Sequence, residues 1–281
     1  MEIIPISVLI AVKNSATRII PVLKSIQWAD EIVLVDSHSS DALTSIASQY
    51  AATIIQFESK SPWPKKRNWA LANHAWKHPW IFVLDDDEVL PQKAYEELRS
   101  IVNDPKPPHE GYWVNRRFWF IDRWLNHCYS PNWNLRLFQL GKGAYEQLSN
   151  AETQSGDAEV HEHIIVKGST AKLHFIIDHY AFPSIDSFVE KHNRYSNWEA
   201  LLDSQGSWGS GKKSWKRTAR KYITHLPFRP LMRFLYIYII QGGWMDGRAG
   251  YYFARLHGLY EFLIIAKSYE LKQKNRAPSE K

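Results

Sequence analysis

Apolar, strand-like segments alternate with helix-like segments along the first third of the chain. The strand-like segments are residues 6–12, 31–35, 53–57 and 80–84, and the helix-like segments are residues 14–28, 42–50 and 67–76. This alternation predicts an α/β fold, a Rossmann-like, mostly parallel twisted sheet flanked by helices. Ligands on such sheets bind beyond the carboxyl ends of the strands. The residues that follow each strand are therefore the first candidates for a functional site.

Four consecutive acids follow the last of these strands, namely Asp85, Asp86, Asp87 and Glu88. Carboxylates this close repel each other unless a cation or a donor-rich ligand lies between them. Asp85 and Asp87 are two residues apart, so a turn can direct both at one Mg²⁺ or Mn²⁺ that bridges a diphosphate. The alternative is a solvated acidic turn before a helix that begins near Pro91.

Asp36 ends the second strand-like segment and is expected at the same edge of the sheet. An ionised carboxylate only accepts hydrogen bonds, so Asp36 could accept from an N–H of a uracil base. The alternative is a helix-capping role, which also suits Asp41. No glycine-rich dinucleotide or P-loop motif is present in the sequence, which argues against dinucleotide-dependent oxidoreductases and P-loop enzymes.

Basic residues are also expected near this edge. Lys65, Lys66 and Arg67 lie in a loop that should approach it. We expect the two lysines to be solvated and Arg67 to pair with Asp85 or to contact the nucleotide. Arg136 stands between apolar neighbours in a strand-like segment, where an unpaired guanidinium would be costly. It should reach a phosphate, pair with a site acid or form a salt bridge under the sheet.

Three motifs together resemble those of a known family. They are VDSHSSD at residues 35–41, KRNWA at residues 66–70 and LDDDE at residues 84–88. The combination resembles family 2 inverting glycosyltransferases with the GT-A fold, in particular bacterial enzymes like the lipopolysaccharide-core β-1,4-glucosyltransferases. The resemblance extends over roughly residues 5–200. It implies a UDP-sugar donor, a divalent metal (Mn²⁺ or Mg²⁺) and inversion at the anomeric carbon.

The resemblance also implies roles for single residues. Asp36 would contact the uracil, Asp85 the ribose and nucleotide, and Asp87 the metal on the diphosphate. The full set of predicted donor-binding residues is Asp36, Ser39, Asp41, Arg67, Asp85 and Asp86. Asp86 departs from the family pattern, because a small residue usually stands between the two acids.

Inverting transfer needs one general base to take the proton of the attacking acceptor hydroxyl. The resemblance places a catalytic acid near His161-Glu162-His163. We therefore predict Glu162 as the base, with Glu159 and Asp157 as the alternatives. His161, or His163 on the same face of a strand, would complete the metal shell through a neutral imidazole. A polar edge strand that faces water is the competing interpretation of this segment.

Two later histidines and one helix complete the set of candidates. His174 and His179 follow or lie in a strand-like segment and are expected to be core histidines rather than ligands. The sequence of residues 184–202 predicts a helix rich in charged and aromatic side chains. Such a helix suits the binding of an anionic acceptor. The predicted acceptor-binding or phosphate-binding residues are Arg136, Lys191, Arg194 and Tyr195.

The chain is predicted to be organised in four parts. Residues 1–110 form the donor-binding half of a domain, and residues 111–212 form its acceptor-binding and catalytic half. Residues 213–272 form a basic amphipathic helical extension, and residues 273–281 a disordered tail. The apolar helices of the extension are too short or too interrupted to span a bilayer. We expect them to lie in a membrane interface, with packing on the catalytic domain or a homodimer contact as alternatives.

The net charge of +6 suits anionic partners such as phosphosugars and acidic lipid headgroups. No nucleic-acid-binding motif is recognised, so nucleic acid is not an expected partner. Cys128 is the only cysteine, which excludes an intramolecular disulfide and fits a reducing cytoplasm. The N-terminus lacks the pattern of a signal peptide. We therefore expect a cytoplasmic protein, peripheral on the inner face of the plasma membrane.

These observations predict a metal-dependent glycosyltransferase that moves a hexose from a UDP-sugar to a lipid-linked saccharide. Two other functions stay open at this point. A nucleotidyltransferase also uses an α/β sheet with acidic metal ligands. A membrane-surface scaffold with an inactive nucleotide fold is the third possibility, although the retained acids count against it.

Overall fold

The computed structural model describes residues 1–58, 64–146, 163–205 and 228–274. The chain forms two compact units. The first consists of Met1–Arg116 with Pro131–His179, and the second of Arg117–Ser130 with Tyr180–Lys281. The chain passes between the two units three times, so each unit is built from two stretches of sequence.

The first unit begins with the predicted alternation of strands and helices. Its elements are β1 (Ile4–Val12), α1 (Ala16–Ser25), β2 (Ala29–Asp36), α2 (Leu43–Gln49), β3 (Thr53–Gln56), α3 (Lys66–Asn73) and β4 (Trp80–Asp85). The pairs β1–β2, β1–β4 and β2–β3 are all parallel. The predicted parallel sheet is confirmed for these four strands.

The strands that follow add four antiparallel pairs to the sheet. The elements that follow are β5 (Glu88–Val89), α4 (Lys93–Val102), β6 (Gly111–Phe120), β7 (Arg123–Leu125), β8 (Asn132–Gln139), β9 (Gly143–Tyr145), β10 (Ile164–Val166) and β11 (Thr170–Phe182). The strand order of the main sheet is β3-β2-β1-β4-β8-β6-β11-β5, with β7 on β6, and β9 pairs with β10 in a small separate sheet. The sheet is therefore mixed, with β4 and β8 at the junction of its two halves.

The central strands of the first unit are buried on both faces. Alternate residues of β1 enter two different hydrophobic clusters, with Val8, Ile10 and Val12 in one and Leu9 and Ala11 in the other. A strand covered on both faces reads as a continuous apolar run, which is the pattern of β1, β2 and β4. The polar residues at the strand ends are therefore where the sheet can meet a ligand.

The second unit combines a β-hairpin, in which the end of β6 pairs with β7, with helices. Its helical elements are α5 (Ile185–Gln205), α6 (Arg229–Leu235) continued by a π turn (Tyr236–Ile240), a 3₁₀ turn (Gly243–Asp246) and α7 (Gly247–Lys274). Its core is mainly aromatic and includes Phe120, Phe182, Phe188 and Phe253. Among the described residues, no helix combines the length and apolarity needed to cross a membrane.

The turn between α6 and α7 depends on glycine and on one buried carboxylate. Gly242 has a φ of +75°, in the left-handed region that glycine favours. A Cβ on Gly250 would lie 2.0 Å from the Gly243 carbonyl oxygen, so only glycine allows this approach. Asp246 accepts backbone hydrogen bonds from Asn126, His127 and Cys128 at 2.8–3.1 Å. These contacts fix the turn against the hairpin within the second unit.

Candidate active site

The two predicted acidic turns do meet at one edge of the sheet. In the strand register, Asp36 lies opposite Val12 and Asp85 lies opposite Ala11, on the two sides of β1. Neighbouring strands are about 4.8 Å apart, so the two aspartates stand about 10 Å from each other across the end of β1. Asp36 and Asp85 are 49 residues apart in the sequence. The prediction that they converge at one edge of the sheet is confirmed.

Asp36 is buried, with 3% of its surface exposed. Its carboxylate accepts hydrogen bonds from the Ser39 amide at 2.9 Å, from the Ser39 hydroxyl and from Gln56 Nε2 at 3.2 Å. Burial acts to raise the pKa of Asp36, but these hydrogen bonds outweigh it and bring the pKa below its ordinary value. A carboxylate offers about four acceptor positions, so one position of Asp36 is left for a ligand.

Ser39 and Asp41 connect the loops that follow β1 and β2. The Ser39 hydroxyl oxygen accepts from the Asn14 amide at 2.8 Å. Asp41 accepts from the amides of Ala16 at 2.8 Å and Leu43 at 3.3 Å, the first residues of α1 and α2. The helix-capping alternative for Asp41 therefore agrees with its contacts, and both residues shape the edge of the site.

Asp85 is surrounded by three guanidinium groups. Arg67 contacts it at 2.5 Å, Arg136 at 2.7 Å and Arg116 at 3.5 Å. Burial acts to raise the pKa of Asp85, but Arg136, Arg67 and Arg116 together hold that pKa well below its usual range. The carboxylate is therefore ionised at neutral pH. The pairing of Arg67 and of Arg136 with a site acid was among the predicted alternatives for both residues.

Glu88 is a second carboxylate that contacts these guanidinium groups. Its side chain is fully buried; it contacts Arg136 and lies 2.8 Å from Arg116. Its other carboxylate oxygen accepts from the Asp85 backbone N–H at 3.0 Å. Three guanidinium groups therefore contact Asp85 or Glu88, and the carboxylate of Asp87 lies close to that of Asp85. Guanidinium groups are donors that suit a diphosphate.

Asp87 is directed toward His179, whose Nε2 lies 3.1 Å from the Asp87 carboxylate. Asp85, Asp87 and His179 each offer one ligand atom within 4.8 Å of the others, the one such group of three found among the described residues. His179 was expected to be a core histidine. It is buried, with 6% of its surface exposed, but it faces the acids rather than apolar neighbours alone. Two carboxylates and one imidazole form a donor set that fits a divalent cation such as Mn²⁺.

Asp86 turns away from this group. Its carboxylate contacts the Ser15 hydroxyl and lies 2.7 Å from Arg18 Nη2. Burial and the neighbouring charge of Asp87 raise the pKa of Asp86. The extra acid therefore connects the acidic turn to the start of α1 instead of adding a third carboxylate to the possible metal ligands.

The expectation that Lys65 and Lys66 are solvated was wrong. Lys65 is 3% exposed and Lys66 is 0% exposed. Lys66 Nζ donates to the Val12 carbonyl oxygen at 3.0 Å, at the end of β1. The amino group is thus used to hold α3 to the central strand, and its charge also lowers the pKa of Asp36.

The remaining predicted residues lie outside the described part of the chain or on other elements. The predicted base Glu162, its alternatives Glu159 and Asp157, and the predicted ligand His161 lie outside the described residues. Lys191, Arg194 and Tyr195 lie on α5 in the second unit. His163 pairs with Glu146 at 3.2 Å. His174 was expected in the core, but its side chain is 93% exposed and lies 2.8 Å from Glu97.

Four residues of the site were missed or given no role from the sequence: Glu88, Arg116, Tyr145 and His179. Arg67 lies over the Tyr145 ring, 5.6 Å from its centroid. One signal could have identified His179, since it continues the buried alternation of Leu173, Phe175 and Ile177 along β11. A histidine in phase with a buried apolar face is a candidate to face a buried polar site on that side of the sheet.

Comparison with known proteins assigns this α/β fold with its acidic edge to a class of transferases and identifies the family. The family model "Glycosyl transferase family 2" matches residues 7–154. The lipopolysaccharide core biosynthesis glycosyltransferase LpsC of Rhizobium meliloti (strain 1021) is 30% identical over 278 residues, covering 95% of this chain and 93% of that protein. The chain belongs to glycosyl transferase family 2.

Two further similarities extend over almost the whole chain. The uncharacterized glycosyltransferase RT0209 of Rickettsia typhi (strain ATCC VR-144 / Wilmington) is 25% identical and covers 96% of this chain and 89% of that protein. The mannosyltransferase PcManGT from Pyrobaculum calidifontis, solved with GDP-Man and Mn²⁺, has a TM-score of 0.50 at 14% identity. That match covers 97% of this chain and 89% of PcManGT. The predicted GT-A fold is confirmed.

Proposed function

We propose that this chain is an inverting, metal-dependent hexosyltransferase that takes a hexose from a UDP-sugar. The observation that carries the proposal is the group formed by Asp85, Asp87 and His179 at the carboxyl edge of the parallel strands. In the proposal the acceptor is a lipid-linked or otherwise anionic saccharide, and the product is part of a lipopolysaccharide core or related surface glycan. The relative LpsC, a lipopolysaccharide core biosynthesis glycosyltransferase, supports this assignment.

The donor site is proposed at the edge between Asp36 and Asp85. Asp36 has one acceptor position left, which matches the single N–H on the pairing edge of uracil better than the two donors of guanine. Asp85 would contact the ribose and nucleotide, and Arg67 the nucleotide side of the pocket. The guanidinium groups around Asp85 would favour the diphosphate as hydrogen-bond donors.

Asp87 and His179, with Asp85, are the residues that would hold the metal. Bound there, Mn²⁺ or Mg²⁺ would act as a Lewis acid on the departing diphosphate. The imidazole in the donor set favours Mn²⁺, because Mg²⁺ is bound mainly by oxygen ligands. Glu162 remains the predicted base: it would take the proton of the acceptor hydroxyl while that oxygen attacks the anomeric carbon from the face opposite UDP.

In the proposal, the donor, the acceptor and the membrane are bound by different parts of the chain. Residues 1–110 would bind the donor, and residues 111–212 would bind the acceptor, with Lys191, Arg194 and Tyr195 as its predicted contacts and Arg136 as a predicted phosphate contact. The basic helical extension at 213–272 would hold the enzyme at the cytoplasmic face of the membrane, where a lipid-linked acceptor is found. The charge of +6 supports an anionic partner.

The test is a donor screen with Mn²⁺, in which UDP-glucose, UDP-galactose, UDP-N-acetylglucosamine and GDP-mannose are offered with a lipid-linked core saccharide. We expect release of UDP from one UDP-hexose and a product whose new linkage has the inverted anomeric configuration by NMR. Glu162→Gln should lower turnover and leave UDP binding intact. Transfer from GDP-mannose alone, or a retained configuration, would contradict the proposal.

A further inference from the structure

The outward face of α6 and its π turn is apolar. Residues spaced by three or four along this segment share one face. The exposed members of that face, which we name the α6 face, are Phe228, Leu231, Met232, Leu235, Tyr236, Ile239 and Ile240. Ile240 is 73% exposed, and none of these side chains carries a charge. A helix on the surface of a soluble protein normally has the opposite arrangement, with its apolar side inward.

The charged residues of the same helix are directed into the second unit. Arg229 Nη2 lies 2.6 Å from Glu261 on α7, and both side chains are 12% exposed. Arg233 lies over the Tyr129 ring, 5.2 Å from its centroid, and its Nε is 3.8 Å from Glu261. Ile237 is fully buried in the aromatic core. The inward side of α6 thus has its own partners, and the apolar side is the one left to the surroundings.

The exposed residues that follow α6 in the chain have the same character. Trp244 and Met245 in the 3₁₀ turn are exposed, as are Tyr251 and Tyr252 at the start of α7. The exposed charged side chains among described residues 228–259 are both positive, Arg248 and Arg255. The one acid in that range, Asp246, is buried and bound to backbone amides. An apolar strip with aromatic residues and positive charge beside it matches a lipid interface in composition.

We propose that the α6 face docks this chain onto a membrane surface that contains anionic lipid, with the helix lying in the interface. The helical segment from Arg229 to Ile240 would extend for only about 18 Å at 1.5 Å per residue, too short for a hydrocarbon core of about 30 Å. Arg248 and Arg255 would face acidic headgroups. A second copy is a poorer occupant, because a two-fold contact would bring the same positive residues of both copies together. The inference extends the proposed function, in which the acceptor is lipid-linked, but it does not depend on the donor site.

Vesicle flotation of the full chain tests this inference. We expect binding to phosphatidylcholine vesicles that contain phosphatidylglycerol, weaker binding to phosphatidylcholine alone and a decrease at high salt. Ile239→Glu should lower the fraction bound roughly tenfold or more, because it places a charge in the apolar strip. Ile165→Glu is the matched control, since Ile165 in the first unit is also 56% exposed, as is Ile239. It should bind like wild type.

Two further measurements on the same proteins separate the possible outcomes. Thermal unfolding with and without UDP and Mn²⁺ reports folding and the donor site, and analytical ultracentrifugation reports the oligomeric state. Vesicle binding without UDP binding would leave this inference standing and overturn the proposed function. UDP binding with no vesicle binding, equal binding of wild type and Ile239→Glu, or a dimer that Ile239→Glu dissociates would overturn the membrane inference.

Discussion

Replacing Arg136 by Met removes the guanidinium that joins Asp85 to Glu88. The Arg136 side chain is 6% exposed, and the side chain of its partner Glu88 is 0% exposed. Each hydrogen bond to a charged group contributes about 1.5–3 kcal/mol, and breaking a buried ion pair costs about 3–5 kcal/mol because a buried charge remains. Arg116 still contacts both carboxylates, at 3.5 Å and 2.8 Å, so we expect a loss toward the lower end of that range.

The matched control is Arg99→Met. Arg99 also forms an ion pair, at 2.8 Å from Glu2, but the two side chains are 45% and 77% exposed. Exposed pairs contribute less than about 1 kcal/mol. In urea denaturation followed by far-UV circular dichroism, Arg136→Met should lower the midpoint by about 1 M or more, and Arg99→Met should leave it nearly unchanged. Equal midpoints for the two variants would refute the assigned role of Arg136 as the support of Asp85.

Two further predictions concern ionisation and the donor base. Burial lowers the pKa of His192 to about 4, while an unfolded chain titrates near 6.5. The unfolded state therefore binds the proton first, and stability present above about pH 6.5 should decrease toward pH 4, by about 2 kcal/mol at pH 5. In thermal unfolding at pH 7 and pH 5, the decrease in stability should be smaller for His192→Phe than for wild type. An identical decrease in the two proteins would exclude His192 as the source of the pH dependence. Asp36→Asn should weaken UDP binding roughly 10- to 100-fold by calorimetry, because an acceptor for the base is lost. Unchanged affinity, with the fold intact, would limit Asp36 to its contacts with Ser39 and Gln56.

The parallel half of the fold was predictable because its signals are local. Each of the strands β1 to β4 is a short apolar run, and each of the helices α1 to α3 lies in the interval between two of them. The convergence of Asp36 and Asp85 followed from topology alone, since parallel strands end at the same edge. Both inferences used the order of elements and not their packing.

The antiparallel half was less predictable because it depends on long-range pairing. His179 reaches the acids because β11 pairs with the two-residue strand β5, opposite Glu88. No turn signal or spacing announces a pairing between segments that lie so far apart in the chain. The arrangement of Arg67, Arg116 and Arg136 around Asp85 has the same origin, since each arginine comes from a different element.

The sequence was also misleading where a charge is buried. Lysine is normally solvated, so burial of Lys65 and Lys66 runs against the default expectation. The carbonyl at the end of β1 that accepts from Lys66 can be recognised only once α3 is packed against that strand. Helix α6 is a second example of charges that are buried while the apolar side is exposed. Its residues Arg229 and Arg233 pair with Glu261 on α7, which the sequence of α6 alone does not reveal.

Binding of Mn²⁺ in the presence of UDP, followed by electron paramagnetic resonance, tests the central claim most directly. The variants are Asp87→Asn, His179→Gln and the control Asp30→Asn. Asp30 also forms an Asp–His pair, at 2.7 Å from His78, but at the opposite end of β2. We expect one Mn²⁺ per chain in wild type and Asp30→Asn, with affinity at least about tenfold lower in Asp87→Asn and reduced in His179→Gln. Wild-type affinity in both Asp87→Asn and His179→Gln would contradict the proposed metal site.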